Sequence, residues 1–225
     1  MYSFNTIAFL IFPYVALTIF VVGHLYRYFT DLYHWNSESS ELLDKRSLRY
    51  GITVFHWGII VTFLGHFTGL LTPQWFLTQV GISAEFHDFV ALLVGKIVGL
   101  MAAAGLVLLL IRRVRRPRIA RNSSLNDLVL VMLLLGIVSL GTFNAWVPRC
   151  DVLYKVAPWI RSILTFVPQP HLMESIPWTY KIHVLAALVV LAFSPFTRLV
   201  HIWSVPIPYL FRRYILFRRR EVKVS

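Results

Sequence analysis

The chain has 225 residues, of which 57% are hydrophobic and 14% charged, a balance that excludes an ordinary soluble domain and makes a lipid bilayer the expected solvent. Lys and Arg outnumber Asp and Glu by 22 to 10, but the cations sit between apolar blocks, so they read as topology signals and not as a nucleic-acid surface. A single cysteine, Cys150, excludes an intrachain disulfide, a thiolate-held iron–sulfur cluster and haem attachment through C-x-x-C-H, all of which need more than one thiol.

In chain order, the first apolar run covers residues 4–26. No positive segment precedes it and no small-residue cleavage site follows, which predicts a retained helix and not a removed signal. Arg27, Lys45, Arg46 and Arg49 lead to the second run, 50–71, and the stretch from Thr72 to Asp88 has no Lys or Arg. The third run, 89–111, ends in Arg112, Arg113, Arg115, Arg116, Arg118 and Arg121. The fourth, 125–147, opens into a long connection, Pro148 to Pro177, carrying Arg149, Lys155 and Arg161. Its prolines at 148, 158, 168, 170 and 177 predict an irregular, helix-poor segment on the surface. The fifth run is 181–203. Beyond it a tail, 204–225, interleaves aromatics with Arg212, Arg213, Arg218, Arg219, Arg220 and Lys223, the composition of a segment lying among lipid headgroups.

Each run can cross the roughly 30 Å hydrocarbon core. The connections are too short for a separate soluble domain, so the expectation is one all-α integral membrane domain over 1–225 with five transmembrane helices. Sixteen Lys and Arg fall on one side and three on the other. The positive-inside rule then puts the N-terminus outside and the C-terminus in the cytoplasm.

Four of the eight histidines lie in two of the runs, His56 and His66 in the second, His183 and His201 in the fifth. Ionisable groups inside a bilayer are costly and call for a cavity, a partner or a ligand. Axial ligation of b-type haem needs no cysteine, only neutral imidazoles from two helices around an apolar slot. The second and fifth runs cross in opposite directions, so His56 pairs with His201 near the cytoplasm and His66 with His183 toward the outside. Ten and eighteen residues correspond to about 15 Å and about 27 Å of helix. Eighteen residues are five turns, which sets His183 and His201 on one stripe, with Pro195 between them as a kink, while His56 and His66 are about 80° apart. Gly58, Gly65 and Gly69 admit either a flat macrocycle or close helix packing. His24 has no counterpart at its depth and reads as structural. His34 and His171 sit in connections.

The sequence resembles the gamma, or cytochrome b, subunit family of membrane-bound respiratory nitrate reductase. The resemblance covers nearly the whole chain. It is carried by Pro13-Tyr14, Arg27-Tyr28, Trp35, Ser39-Ser40, Leu64-Gly65-His66-Phe67, Leu71-Thr72-Pro73 and the long run from Pro195 through His201 to Pro206. It implies two b haems, the inner on His56 and His201 and the outer on His66 and His183, in a bacterial or archaeal cell membrane. It further implies oxidation of a quinol, menaquinol or ubiquinol, on the outer side, where Gly65 and His66 would border the pocket. Electrons would leave to an iron–sulfur beta subunit and then a molybdenum alpha subunit on the cytoplasmic face. With no pterin scaffold and no cysteine set, chemistry in this chain is confined to electron and proton transfer.

The family tends to place a basic side chain near the outer start of the third span, and this sequence departs from it. The nearest candidates are His87 and Lys96, the latter a partner for quinol or a haem propionate, or a cation that snorkels to the surface. Arg112 and Arg113 either neutralise propionates of the inner haem or only fix topology. Two other functions compete: a related dihaem subunit of a sulfite or heterodisulfide type of reductase, and a non-haem membrane anchor or transporter.

Overall fold

Five helices are long and apolar enough to cross a membrane: Phe4–Thr30, Arg49–Leu71, Ala84–Arg115, Leu125–Trp146 and Trp178–Phe196. The computed structural model describes residues 4–31, 45–121, 123–148 and 150–203, without the side chains of 45–48. Among these residues there is no strand, so the expected all-α, five-span class is the one adopted. The features read at His34, Trp35, Ser39, Ser40 and Arg149, at the side chains of Lys45 and Arg46, and along the tail from Ser204 lie outside the described residues.

The second span packs on the third, the third on the fourth, the fourth on the fifth and the fifth on the first, while the second and fifth approach each other less closely. Phe4 meets Trp178 at 5.4 Å between ring centres, and Gly23 meets Pro195 near the other end. The first and fifth spans therefore run parallel. Small residues set the closest approach. A β-carbon at Gly58 would stand 2.6 Å from the backbone nitrogen of Ala102, and one at Gly105 would strike the backbone of Phe55. With lipid on the outside there is no hydrophobic gain from helix pairing, so backbone contact of this kind supplies the van der Waals attraction.

Prolines inside two spans leave carbonyls without their helical donors, and other groups fill the gaps. Pro13 offers no N–H to Phe9, four residues earlier. The chain there winds as a π-helix over Ile7–Ile11, and the Trp159 indole donates to the Phe9 carbonyl at 2.9 Å. Pro195 likewise offers none to Leu191, whose carbonyl instead accepts from the Ser194 hydroxyl at 2.7 Å.

Pro195 also corrects the fifth span. Its α-helix is Trp178–Phe193 and not a continuous helix to 203. Two 3₁₀ turns follow, Ser194–Phe196 and Arg198–Ile202, separated by an extended Thr197 with φ −127° and ψ −180°. His201 sits on the second turn, so the five-turn phasing with His183 does not apply.

A second correction concerns the connection after the fourth span, expected to be irregular and superficial. It holds a π-helix, Val152–Val156, an α-helix, Ala157–Leu164, and a 3₁₀ turn, Pro170–Met173. Val156, Trp159, Ile163, Met173 and Ile176 are buried in one cluster with Ala8 and Phe9 of the first span and Tyr180 of the fifth. Pro158 follows the π-helix Val152–Val156 as Pro13 follows the one at Ile7–Ile11.

Candidate functional site: two facing histidine pairs

The second and fifth spans present their histidines to each other. His56 and His201 have ring centres 6.2 Å apart and His66 and His183 6.3 Å apart. A metal–imidazole bond is about 2 Å and the ring centre lies about 1.2 Å beyond the nitrogen, so two imidazoles on one metal ion put their centres roughly 6.3 Å apart. Both pairs match that span.

Hydrogen bonding fixes the tautomer of all four rings. Nδ1 lies 2.8 Å from the Ile52 carbonyl in His56, 2.8 Å from Thr62 in His66, 3.0 Å from Ile137 in His183 and 2.6 Å from Arg198 in His201. A carbonyl oxygen only accepts, so each Nδ1 carries the proton and each Nε2 keeps a lone pair for a ligand. Three of these carbonyls belong to the histidine's own helix or turn. The fourth, Ile137, belongs to the fourth span. His183 reaches it across Gly141, where a β-carbon would stand 2.8 Å from Cε1.

The donor set also limits what could bind. Among the described residues no group of three or more His, Cys, Asp and Glu side chains is placed to hold a metal ion. Two imidazoles cannot fill the coordination sphere of a bare metal, so a macrocycle with its own equatorial donors fits these pairs. The three glycines considered from sequence divide. Gly58 is consumed by packing on the third span, Gly65 has no neighbour within 4 Å, and the Gly69 β-carbon position lies 3.4 Å from Nε2 of His87.

The end of the bundle near His56 and His201 holds an ionic network. Asp127, whose side chain is 6% exposed, accepts from Nε of Arg198 at 2.6 Å and from its Nη2 at 3.0 Å. Nη1 of Arg113 lies 3.1 Å from the same carboxylate but off the hydrogen-bonding direction, a charge contact more than a directed bond. Arg112 is buried. His24 pairs with the Ser194 hydroxyl at 3.4 Å and lies edge-on to Phe20 and Trp203.

At the opposite end, His87 joins Asp88 at 3.2 Å and faces Gly69, one turn beyond His66. The Lys96 ammonium lies over the Trp146 ring, 5.2 Å from its centre. Arg161, on the helix Ala157–Leu164, donates to the carbonyls of Leu70 at 2.9 Å and Thr72 at 3.4 Å, capping the second span. Burial holds its guanidinium below the usual range, though an arginine stays charged at neutral pH all the same.

Asp127, Gly141, Arg161 and Arg198 were not singled out as site residues from sequence. Asp127 carried one usable signal, the Ser124-x-x-Asp127 capping box that opens the fourth span. The others acquire their roles only through contacts with distant elements.

Fold and site together define a class: a multi-pass helical membrane protein with two facing histidine pairs, one residue of each pair on the second span. Comparison with known proteins gives the family. Residues 5–220 match the nitrate reductase gamma subunit family, and the chain belongs to that family. It is 42% identical over 215 residues to the nitrate reductase gamma chain of Bacillus subtilis strain 168, covering 94% of this chain and 96% of that one. Identity is 33% over 223 residues to the respiratory nitrate reductase 1 gamma chain of Escherichia coli K12, covering 96% and 98%. The nitrate reductase-like protein NarX of Mycobacterium tuberculosis H37Rv is 38% identical over 215 residues, 93% of this chain but 33% of that longer protein. Membership makes the chain a membrane subunit of an oxidoreductase complex.

Proposed function

We propose that this chain is the quinol-oxidising, electron-carrying membrane subunit of a respiratory nitrate reductase, with one b haem on His56 and His201 and another on His66 and His183. The observation behind this reading is the arrangement of the four imidazoles: every Nδ1 is committed to a carbonyl, and the rings face in pairs at 6.2 and 6.3 Å. Bound haem supplies reversible one-electron chemistry that no side chain here provides.

The residues of this chain do the rest. The four histidines offer neutral donors of fixed orientation, and the spans around them keep the sites in an apolar medium. Arg112 and Arg113 place positive charge at the inner end, suited to carboxylates such as haem propionates. At the outer end the quinol site is bordered by Gly65 and His66, with His87 as acceptor for a hydroxyl proton and Lys96 as a polar neighbour. The arginine-rich end lies in the cytoplasm, where an iron–sulfur beta subunit and a molybdenum alpha subunit receive the electrons. Nitrate is reduced there and not in this chain.

A redox-titrated optical spectrum of the membrane complex, with a quinol analogue and nitrate added in turn, tests this reading. Two b-type transitions are expected. Replacing His66 or His183 by alanine should abolish one, and replacing His56 or His201 the other. A loss pattern that crosses the pairs, or a metal-replete complex without b-type bands, would overturn it.

A further inference from the structure

We infer that Asp127 is the positioning residue of the inner site: it pins Arg198, and through the Arg198 carbonyl it aims the imidazole of His201 at His56. This rests on the reading of His56 and His201 as axial ligands.

His201 needs an external anchor because it is not part of the α-helix of the fifth span. It lies on a five-residue 3₁₀ turn, Arg198–Ile202, entered through the extended Thr197. Such turns have poor hydrogen-bond geometry and little stiffness of their own. Its own bonds hold the backbone and not the ring: the Leu199 amide donates to the Thr197 hydroxyl at 3.2 Å, the Val200 amide to the Thr197 carbonyl at 3.4 Å and the Trp203 amide to the Val200 carbonyl at 3.0 Å.

Asp127 adds a restraint from another span. Its carboxylate takes Arg198 in a two-pronged grip, at 2.6 and 3.0 Å. It is itself locked by the capping box, Ser124 N to Oδ2 at 3.2 Å and Asp127 N to the Ser124 hydroxyl at 3.2 Å. The Arg198 carbonyl then accepts from Nδ1 of His201 at 2.6 Å. One chain of contacts thus runs from the rigid start of the fourth span to the ring facing His56, and both arginines beside Asp127 lean on the same carboxylate. A planar, bidentate pair fixes direction as well as distance, which a lysine or a neutral amide in either position could not do.

The test uses the complete membrane complex and reads the two b-type centres by potentiometric optical titration, with the His201→Ala variant marking which centre is the inner one. Asp127→Asn keeps the shape and removes a negative charge. The oxidised, more positive state of the inner centre loses stabilisation, so its midpoint should rise while the outer midpoint stays put. Asp127→Ala should lower the content of the inner centre severalfold, and Asp127→Glu should restore much of it. Unchanged midpoints in Asp127→Asn would overturn the inference, including where Asp127→Ala loses both centres through misfolding. A wild-type complex with no inner centre at all would instead sink the reading of the histidines.

Discussion

Gly141 lies directly against the imidazole of His183, with room for a hydrogen but not for a methyl group, since a β-carbon would come 2.8 Å from Cε1. The absent side chain lets His183 touch the backbone of the fourth span and bond to Ile137. Gly141→Ala should tilt the ring and cost about 1 kcal/mol for the strained hydrogen bond. Gly141→Val should remove the outer centre. Optical titration of the two variants checks this: the transition lost in His183→Ala should shift in the first and vanish in the second, with the other unmoved.

Gly58 and Gly65 lie on the same span and predict opposite outcomes. Gly58→Ala forces a β-carbon to within 2.6 Å of Ala102 N and separates the second and third spans, an overpacking cost of about 1–3 kcal/mol. Gly65→Ala meets no protein atom within 4 Å, so the fold should keep its stability while quinol turnover falls. Thermal unfolding in detergent, set beside quinol-dependent reduction of the b centres, separates the two.

Arg161 ties its helix, Ala157–Leu164, to the second span through the carbonyls of Leu70 and Thr72. Hydrogen bonds from a charged donor contribute about 1.5–3 kcal/mol. Arg161→Met, which keeps the apolar stem, should lose about that much and raise protease sensitivity between the fourth and fifth spans. Limited proteolysis of membrane vesicles reads this. Unchanged cleavage would show that the cap contributes nothing to holding the connection down.

The Cys150 thiol is pushed up chiefly by burial, with Asp151 adding to the rise and Lys155 opposing it. A raised value means less thiolate at any pH below it. Alkylation by iodoacetamide at pH 8 should therefore be slower than that of free glutathione, and it should keep accelerating at higher pH where glutathione levels off. Faster labelling than glutathione at pH 8 would contradict the burial.

The spans were legible because apolar length is a property of the sequence alone. Histidine pairing was legible as well, since two antiparallel crossings order His56, His66, His183 and His201 by depth without further knowledge. The connection after the fourth span was not. Val156, Trp159 and Ile163 are interrupted by prolines and cations, and their apolar face exists only beside Phe9 and Met173. Proline at 195 announced a kink, but nothing in the sequence told that the chain would restart as a 3₁₀ turn held by Asp127, because the anchor lies 71 residues away.

The bond from Trp159 to the Phe9 carbonyl has a consequence for biogenesis. The first span emerges from the ribosome about 150 residues before its partner, so it enters the bilayer lacking both the indole that completes its backbone and the parallel helix it finally rests on. Three further crossings are laid down in the interval. The first span, made ahead of the other four, is thus among the last of them to reach its native neighbours, and release of the nascent chain before the fifth crossing should strand it as a lone, lipid-surrounded helix open to quality-control proteases.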